Sequence, residues 1–343
     1  MARVHRSERM VTYVEQTWSK PTDCTQIWSI SDGRAGNARQ ADALGQALDP
    51  RARVMHLDSR APWRWLAPRR LPAADRAFGA TFEAALRAPP ALAIGCGRQA
   101  ALATRLTGQR GARTVQILDP RLDARLWDLV VVPEHDALRG DNVVVMRGSL
   151  HPVDDAWLDA ARIAHPALGT RLGPRTGVLL GGDSRHGHFD VAAFDRLADA
   201  LDAQVAREGG SLMLVGSRRT SPAVRAALRT RYRGRAAVAW ADVDDGANPY
   251  AGVLAWADRL VCSADSVNML SEACATRAPV LVFEPERVGG RPRRFVDGLI
   301  ADGRIRVLAN DWAPPVAVTP LRECARVAAE IRARLLDDAR GMR

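Results

Sequence analysis

From Ile27 onward, short apolar runs of strand length alternate with stretches whose apolar residues recur every three or four positions, and Gly, Ser and Asp collect in the turns between them. That alternation is the pattern of βαβ units wound around a parallel sheet covered on both faces. In the first half it predicts strands at 26–30, 54–57, 91–94, 114–118, 129–132 and 143–145, and helices at 38–48, 80–88 and 98–106. The pattern then restarts, with strands at 176–180, 211–215, 236–240, 259–262 and 280–283. Helices fall at 190–207, 222–231, 266–276 and 319–336, and Pro222 sits in a first turn, where proline is favoured. Pro166, Gly169, Gly173 and Pro174 interrupt both periodicities, so 160–175 reads as the boundary between two halves. The expected organisation is a leader over 1–24, two Rossmann-like domains over 25–170 and 171–318, and a closing helix over 319–343.

A chain of 343 residues fits two domains. No apolar run approaches the roughly 20 residues of a membrane-spanning helix. The first 24 residues lack the apolar core and cleavage site of a secretory signal. Five scattered cysteines (Cys24, Cys96, Cys262, Cys274, Cys324) form no CxxC pair and have no histidine at ligand spacing, which points to a reducing cytoplasm, inert buried thiols and no zinc. Formal net charge is +10, and apart from Lys20 the cations are arginines, a field that attracts anions. There is neither zinc-finger spacing nor an RNP-type aromatic motif, so nucleic acid is not an expected partner. The segment 62–72 interleaves Trp63 and Trp65 with Arg64, Arg69 and Arg70, a mixture suited to peripheral contact with an anionic membrane face.

Ligands of open parallel sheets bind beyond the carboxyl ends of the strands, so the loops after the strands hold the candidate chemistry. The first runs from Ser31 to Asn37: Gly33 and Gly36 allow close approach, Asn37 and Gln40 can bind an acceptor, and Asp32 can take a proton from an attacking hydroxyl. Alternatively, Ser31 and Asp32 only shape the turn and cap its helix. Arg98, after the 91–94 strand, can hold an anionic group, and Asp119 follows the 114–118 strand on the same edge. A positive charge at a helix start is unfavourable without an anion. Glu134, His135 and Asp136 form a second acid/base cluster.

In the second half, Gly181, Gly182, Ser184 and Arg185 follow the first strand, and Gly216, Ser217 and Arg218 follow the next. Both loops suit a phosphate. His186 and His188 lack supporting ligands, so no metal is assigned. In the Asn248–Glu286 segment, Ser263 closes a strand, while Ser266, Val267 and Asn268 open a helix whose free amides can hold a diphosphate. Glu272, one to two turns on, can accept both hydroxyls of a ribose. The plainer alternative makes Ser266 an ordinary cap and Glu272 a surface residue.

The order of Ala-Asp, strand, Ser-rich turn, Ser-Glu-Ala helix and Pro-Val strand in that segment resembles the donor site of GT-B glycosyltransferases. The peptidoglycan lipid-intermediate GlcNAc transferases have a similar pattern. That resemblance implies that Ser266, Val267 and Asn268 hold the nucleotide diphosphate, that Glu272 binds ribose, and that Gly181 and Gly182 form the family's Gly-rich loop. The motifs SDGRAGNARQA, GCGRQAA, QILDPR, VVPEHD, GGDSR and DSVNMLSEA, in order from about Ile27 to Glu286, resemble the mitochondrial-fission ELM family more closely. The ELM resemblance by itself leaves the reaction open, and the reading placed first is a cytoplasmic, metal-independent inverting transferase that uses a nucleotide sugar and no separate cofactor. Its acceptor would be a cell-envelope or lipid-linked glycan reached from the inner membrane face. A nucleotide-sugar epimerase recruiting Glu134, His135 and His186 shares the architecture, as does a scaffold without turnover. The transferase reading requires the Ser266 amides and the Glu272 carboxylate to face one cleft.

Overall fold

A computed structural model describes residues 26–235, 237–309, 312 and 318–337. The expected leader, with Lys20 and Cys24, lies outside them. The first half contains β1 (Ile27–Ser31), α1 (Ala35–Leu48), β2 (Arg53–His56), α2 (Trp63–Leu66), α3 (Ala80–Ala85), β3 (Leu92–Cys96), α4 (Arg98–Gly108), β4 (Arg113–Ile117), β5 (Leu129–Pro133) and β6 (Val143–Met146). After α5 (Asp155–Ala164) and α6 (Pro166–Gly169) come β7 (Arg175–Leu180), α7 (Val191–Glu208), β8 (Ser211–Gly216), α8 (Pro222–Tyr232) and β9 (Ala237–Trp240). The chain goes on through α9 (Tyr250–Trp256), β10 (Arg259–Ser263), α10 (Val267–Cys274), β11 (Val280–Phe283), α11 (Gly290–Ala301), β12 (Ile305–Val307) and α12 (Cys324–Ile331), with π-helical turns at Arg332–Asp337.

Two six-stranded sheets result, ordered β2-β1-β3-β4-β5-β6 and β12-β11-β10-β7-β8-β9, every pairing parallel. Each sheet is covered on both faces, and the two-residue period of a strand divides its side chains between them. In β1, Ile27 packs with α1 and α12, whereas Trp28 and Ile30 pack with α3 and α4. In β7, Leu179 joins the layer of α5, α9, α10 and α11, while Val178 and Leu180 join that of α7 and α8. Asp190 and Ser221 cap α7 and α8 by accepting the amides of Ala193 and Val224, which fixes where those helices begin.

Two boundaries differ from the sequence reading. The chain passes to the second domain before residue 160: Val153, Leu158, Ala161 and Leu168 belong to the second core, because the apolar side of α5 packs on α9. The closing helix starts at Cys324 and not at 319, and it returns to the first domain, where Val327, Ala328, Ile331 and Leu335 complete the layer behind α1. No helix among the described residues is long and apolar enough to cross a membrane.

Strand order locates the crevices. In an open parallel sheet a ligand site forms where the order reverses, because the loops leaving the two adjoining strands turn to opposite faces. The reversals lie between β1 and β3 in the first sheet and between β7 and β10 in the second.

Candidate functional site

At the first reversal, Asp32 and Asn37 face the turn after β3. Asp32 Oδ1 accepts from the Asn37 side chain at 3.0 Å and from the Arg34 amide at 3.2 Å, and the Asn37 amide oxygen accepts from the Cys96 thiol at 3.7 Å. The Asp32 side chain keeps 7% of its surface. Asp32 thus shapes the turn, as the plainer reading had it, while its carboxylate stays at the crevice mouth. Helix α1 starts at Ala35, three residues earlier than expected, so Gly36 and Asn37 sit in its first turn. Gln40 does not line the crevice: it is buried and donates to the Gly36 carbonyl at 3.1 Å.

At the second reversal the side chains form a closed lattice. The Gly181 amide donates to Ser263 Oγ at 2.8 Å, Ser263 donates to Asp265 at 2.7 Å, and the Gly182 amide donates to Asp265 at 3.1 Å. Arg219 pairs with the buried Asp265 carboxylate at 2.7 Å. Ser217 bonds Thr220 and the Gly181 carbonyl. The glycine amides expected to cradle a phosphate are therefore engaged within the domain. A Cβ on Gly182 would lie 1.9 Å from the Arg219 carbonyl oxygen, so glycine is required there for backbone packing. Gly216 packs against Ala241 in the same way. Arg218 stays exposed, and it is Arg219 that turns inward. Ser184 closes a tight turn with Gly187, and the exposed Arg185 donates to His186 at 2.9 Å. The cavity beside β10 and β11 holds only about 20 Å3.

Ser266 caps α10 by accepting the Met269 amide at 3.4 Å, which leaves the amides of Val267 and Asn268 in the first turn, where no intrahelical acceptor exists. Asn268 abuts the first domain: a Cβ on Gly36 would fall 2.6 Å from its side-chain nitrogen. One turn further along each helix, Arg39 grips Glu272 with Nε and Nη2, the Nη2 contact measuring 2.9 Å. The Glu272 side chain retains 4% of its surface. The Tyr250 hydroxyl lies near enough to the same carboxylate to favour its charged form, and the Arg39 guanidinium also lies over the Trp157 ring, 5.7 Å from its centre. Burial pushes the Glu272 carboxyl above its ordinary 4.5 despite the opposing pull of Arg39 and Tyr250. Glu272 therefore faces the gap between the domains, as the sequence required, but within this gap Arg39 holds it.

Other bonds close the same gap. Arg291 on α11 pairs with the buried Asp136 at 2.8 Å, and Arg294 donates to the His135 carbonyl at 3.1 Å. His135 packs on Phe295, and burial pulls its imidazole below the usual value. The Glu134-His135-Asp136 cluster is thus an interdomain contact, with Glu134 alone exposed. The Ser149 amide donates to Ser271 Oγ at 3.1 Å, and Arg147 pairs with Asp302. Beside these contacts a cavity of about 420 Å3 opens at the ends of β3 and β4, lined by Asn37, Arg98, Asp119 and, from the second domain, Arg291. It gathers three of the expected acceptor residues.

Sequence reasoning missed Arg39, Asp265, Arg219 and Arg291. Arg39 lies one turn beyond Gly36 on the same helix face, a spacing that could have singled it out once Gly36 was placed at the crevice. Asp265 was visible in the small polar turn, but nothing local marks it as the acceptor for the Gly182 amide and the partner of Arg219.

A family model for mitochondrial fission ELM1 matches residues 35–335. The chain belongs to the mitochondrial fission ELM1 family. Mitochondrial fission protein ELM1 of Arabidopsis thaliana is 28% identical over 280 residues, which is 72% of this chain and 64% of the length of that relative. Among solved structures, the UDP-GlcNAc 2-epimerase of Methanocaldococcus jannaschii aligns with a TM-score of 0.54 at 10% identity, over 90% of this chain and 99% of its own. A Medicago truncatula protein complexed with UDP-glucose aligns with a TM-score of 0.51 at 11% identity, over 92% and 91% of the two chains. Likeness at such identities concerns architecture, and the architecture of this family member is GT-B-like: two Rossmann-like domains facing a cleft.

Proposed function

We propose that this protein is a GT-B glycosyltransferase that moves a sugar from a nucleotide-sugar donor to an acceptor hydroxyl with inversion and without a metal. One observation carries the reading: the strand-order reversals of the two sheets face each other across a single gap, with Gly36 against Asn268 and Arg39 on Glu272. The donor diphosphate would sit on the amides of Val267 and Asn268 beside Ser266, and the ribose hydroxyls would bond Glu272. Arg185 and Arg218, both exposed, would reach the leaving diphosphate. Gly181, Gly182, Gly216, Ser217 and Ser263 shape the crevice floor from beneath.

Asp32 would take the acceptor proton as the hydroxyl oxygen forms its bond to the anomeric carbon. The bond from that carbon to the diphosphate oxygen breaks, and the amides and arginines meet the charge that develops there. Because Glu272 is held by Arg39 and the crevice beside β10 is small, donor binding requires the gap to widen and the guanidinium to yield to the ribose. A thermal-shift screen with UDP, GDP, CMP, ADP and dTDP sugars tests the reading, since a ligand raises the melting temperature by mass action. Glu272→Ala should weaken the responding nucleotide by about 1.5 to 3 kcal/mol, the range for hydrogen bonds to charged groups. A chain that responds to none of these donors is not this enzyme. That outcome favours a scaffold, the reading which the buried Arg39–Glu272 pair supports.

A further inference from the structure

The 420 Å3 cavity at the ends of β3 and β4 has an unusual charge inventory. Arg69, Arg98, Arg121 and Arg291 line it, and among its lining residues Asp119 is the one carboxylate. Asp119 is already committed to Arg121, accepting its backbone amide at 2.8 Å and its Nε at 3.2 Å. Among the described residues Arg98 has no acid partner: its guanidinium donates to the carbonyls of Arg64 and Trp65, at 3.0 and 3.2 Å. Arg69 has no side-chain partner among the described residues. Arg98 also opens α4, where the helix field disfavours a cation. An uncompensated guanidinium at that position is stabilised when an anion sits beside it.

The rim adds a second requirement. Leu118 and Arg121 both adopt left-handed backbone, at φ 70° and 61°, although neither is glycine, and this turns the Asp119–Arg121 corner onto the cavity. The lining segment next to Arg98 is apolar: Ala67 and Pro68 are buried there, while Trp65 and Leu66 keep 70% and 42% of their surfaces exposed. A ligand that satisfies both features carries an anionic head with an apolar body beside it. Guanidinium groups match the oxygens of a phosphate in bidentate fashion.

We propose that this cavity seats a phosphate or diphosphate group, and, resting on the transferase reading above, that this group belongs to the acceptor. The acceptor hydroxyl then lies beside Asn37, which bonds Asp32. The test uses the full chain and titrates inorganic diphosphate calorimetrically into wild type, R69Q and R69Q/R98Q. Affinity should fall about tenfold or more in R69Q/R98Q and about threefold in R69Q, whose residue has no structural partner to lose. UDP titrated into R69Q/R98Q should bind as in wild type. Diphosphate that fails to bind, or binds equally to wild type and R69Q/R98Q, overturns the proposal. Absence of UDP binding alone tells against the nucleotide-sugar reading and leaves the phosphate seat standing. Decyl phosphate compared with inorganic phosphate distinguishes the sources: a gain that W65S abolishes identifies a lipid-linked phosphate, and equal affinities identify a soluble one.

Discussion

Removing Arg39 isolates the contact on which the closed arrangement depends. In Arg39→Ala the Glu272 carboxylate loses both guanidinium bonds while Tyr250 remains. Breaking one half of a buried ion pair costs about 3 to 5 kcal/mol when the other charge stays buried. At about 2 to 4 °C per kcal/mol for domains of this size, 3 kcal/mol corresponds to a fall of about 6 to 12 °C in melting temperature near neutral pH. The penalty depends on protonation. Burial already raises the Glu272 carboxyl above 4.5, and without the cation it rises further. A raised carboxyl is neutral, and harmless, below its unfolded value near 4.5, and its stabilising share is lost as pH rises through the folded value. The Arg39→Ala deficit should therefore shrink toward pH 4.5 and grow as pH rises through the raised folded value.

Calorimetry on wild type, Arg39→Ala, Glu272→Ala and the double variant at several pH values measures the coupling directly. Glu272→Ala should rescue most of the loss, since it removes the stranded charge. A coupling within about 0.5 kcal/mol at pH 8, or a deficit that does not vary with pH, would refute the reasoning. In the first case the pair is a solvent-screened contact, and the gap is held shut by its neighbours.

Three further outcomes follow from the same structure. Gly182→Ala should destabilise the second domain by about 1 to 3 kcal/mol in denaturant unfolding, because its Cβ meets the Arg219 carbonyl at 1.9 Å; an unchanged midpoint would show that this turn has room. His151 is buried, and desolvation together with the field of Arg39 pulls its imidazole from 6.5 to about 4. A depressed histidine favours folding above 6.5 and loses that favour as pH falls toward 4, so His151→Gln should remove about 3 kcal/mol of acid sensitivity from a melting-temperature profile taken between those values, and parallel profiles would count against it. Trp65→Ser should leave stability unchanged but abolish co-sedimentation with anionic vesicles, whereas Trp63→Ser, a residue packed against the α3 and α4 layer, should lower stability; vesicle binding indifferent to Trp65 removes the membrane role.

Most of the strands were legible because each is a short, nearly continuous apolar run whose two faces both need cover, and a signal of that kind resides wholly in the local sequence. Ser266 and Glu272 were legible for a similar reason: one caps a helix and the other breaks its apolar pattern. What the sequence hid is held by partners far away along the chain. Arg39 meets a carboxylate 233 residues later, and Gly182 donates to an acid 83 residues on. A glycine next to a strand end looks the same whether a ligand or a neighbouring backbone requires it. The passage near residue 160 misled because Pro166 and Gly169 sit within a helical layer of the second domain, where α5 and α6 pack on α9, and do not mark its edge.

The return of α12 to the first domain has a mechanical consequence. The polypeptide passes between the two lobes once after β6 and again before α12, and the two crossings run side by side, since Arg322 at the second pairs with Asp155 just past the first at 2.7 Å. A doubled strand at one place is a stiffer hinge than a single cord. Opening of the cleft should then pivot there, and a cut just before α12 should loosen the pivot while each sheet stays intact.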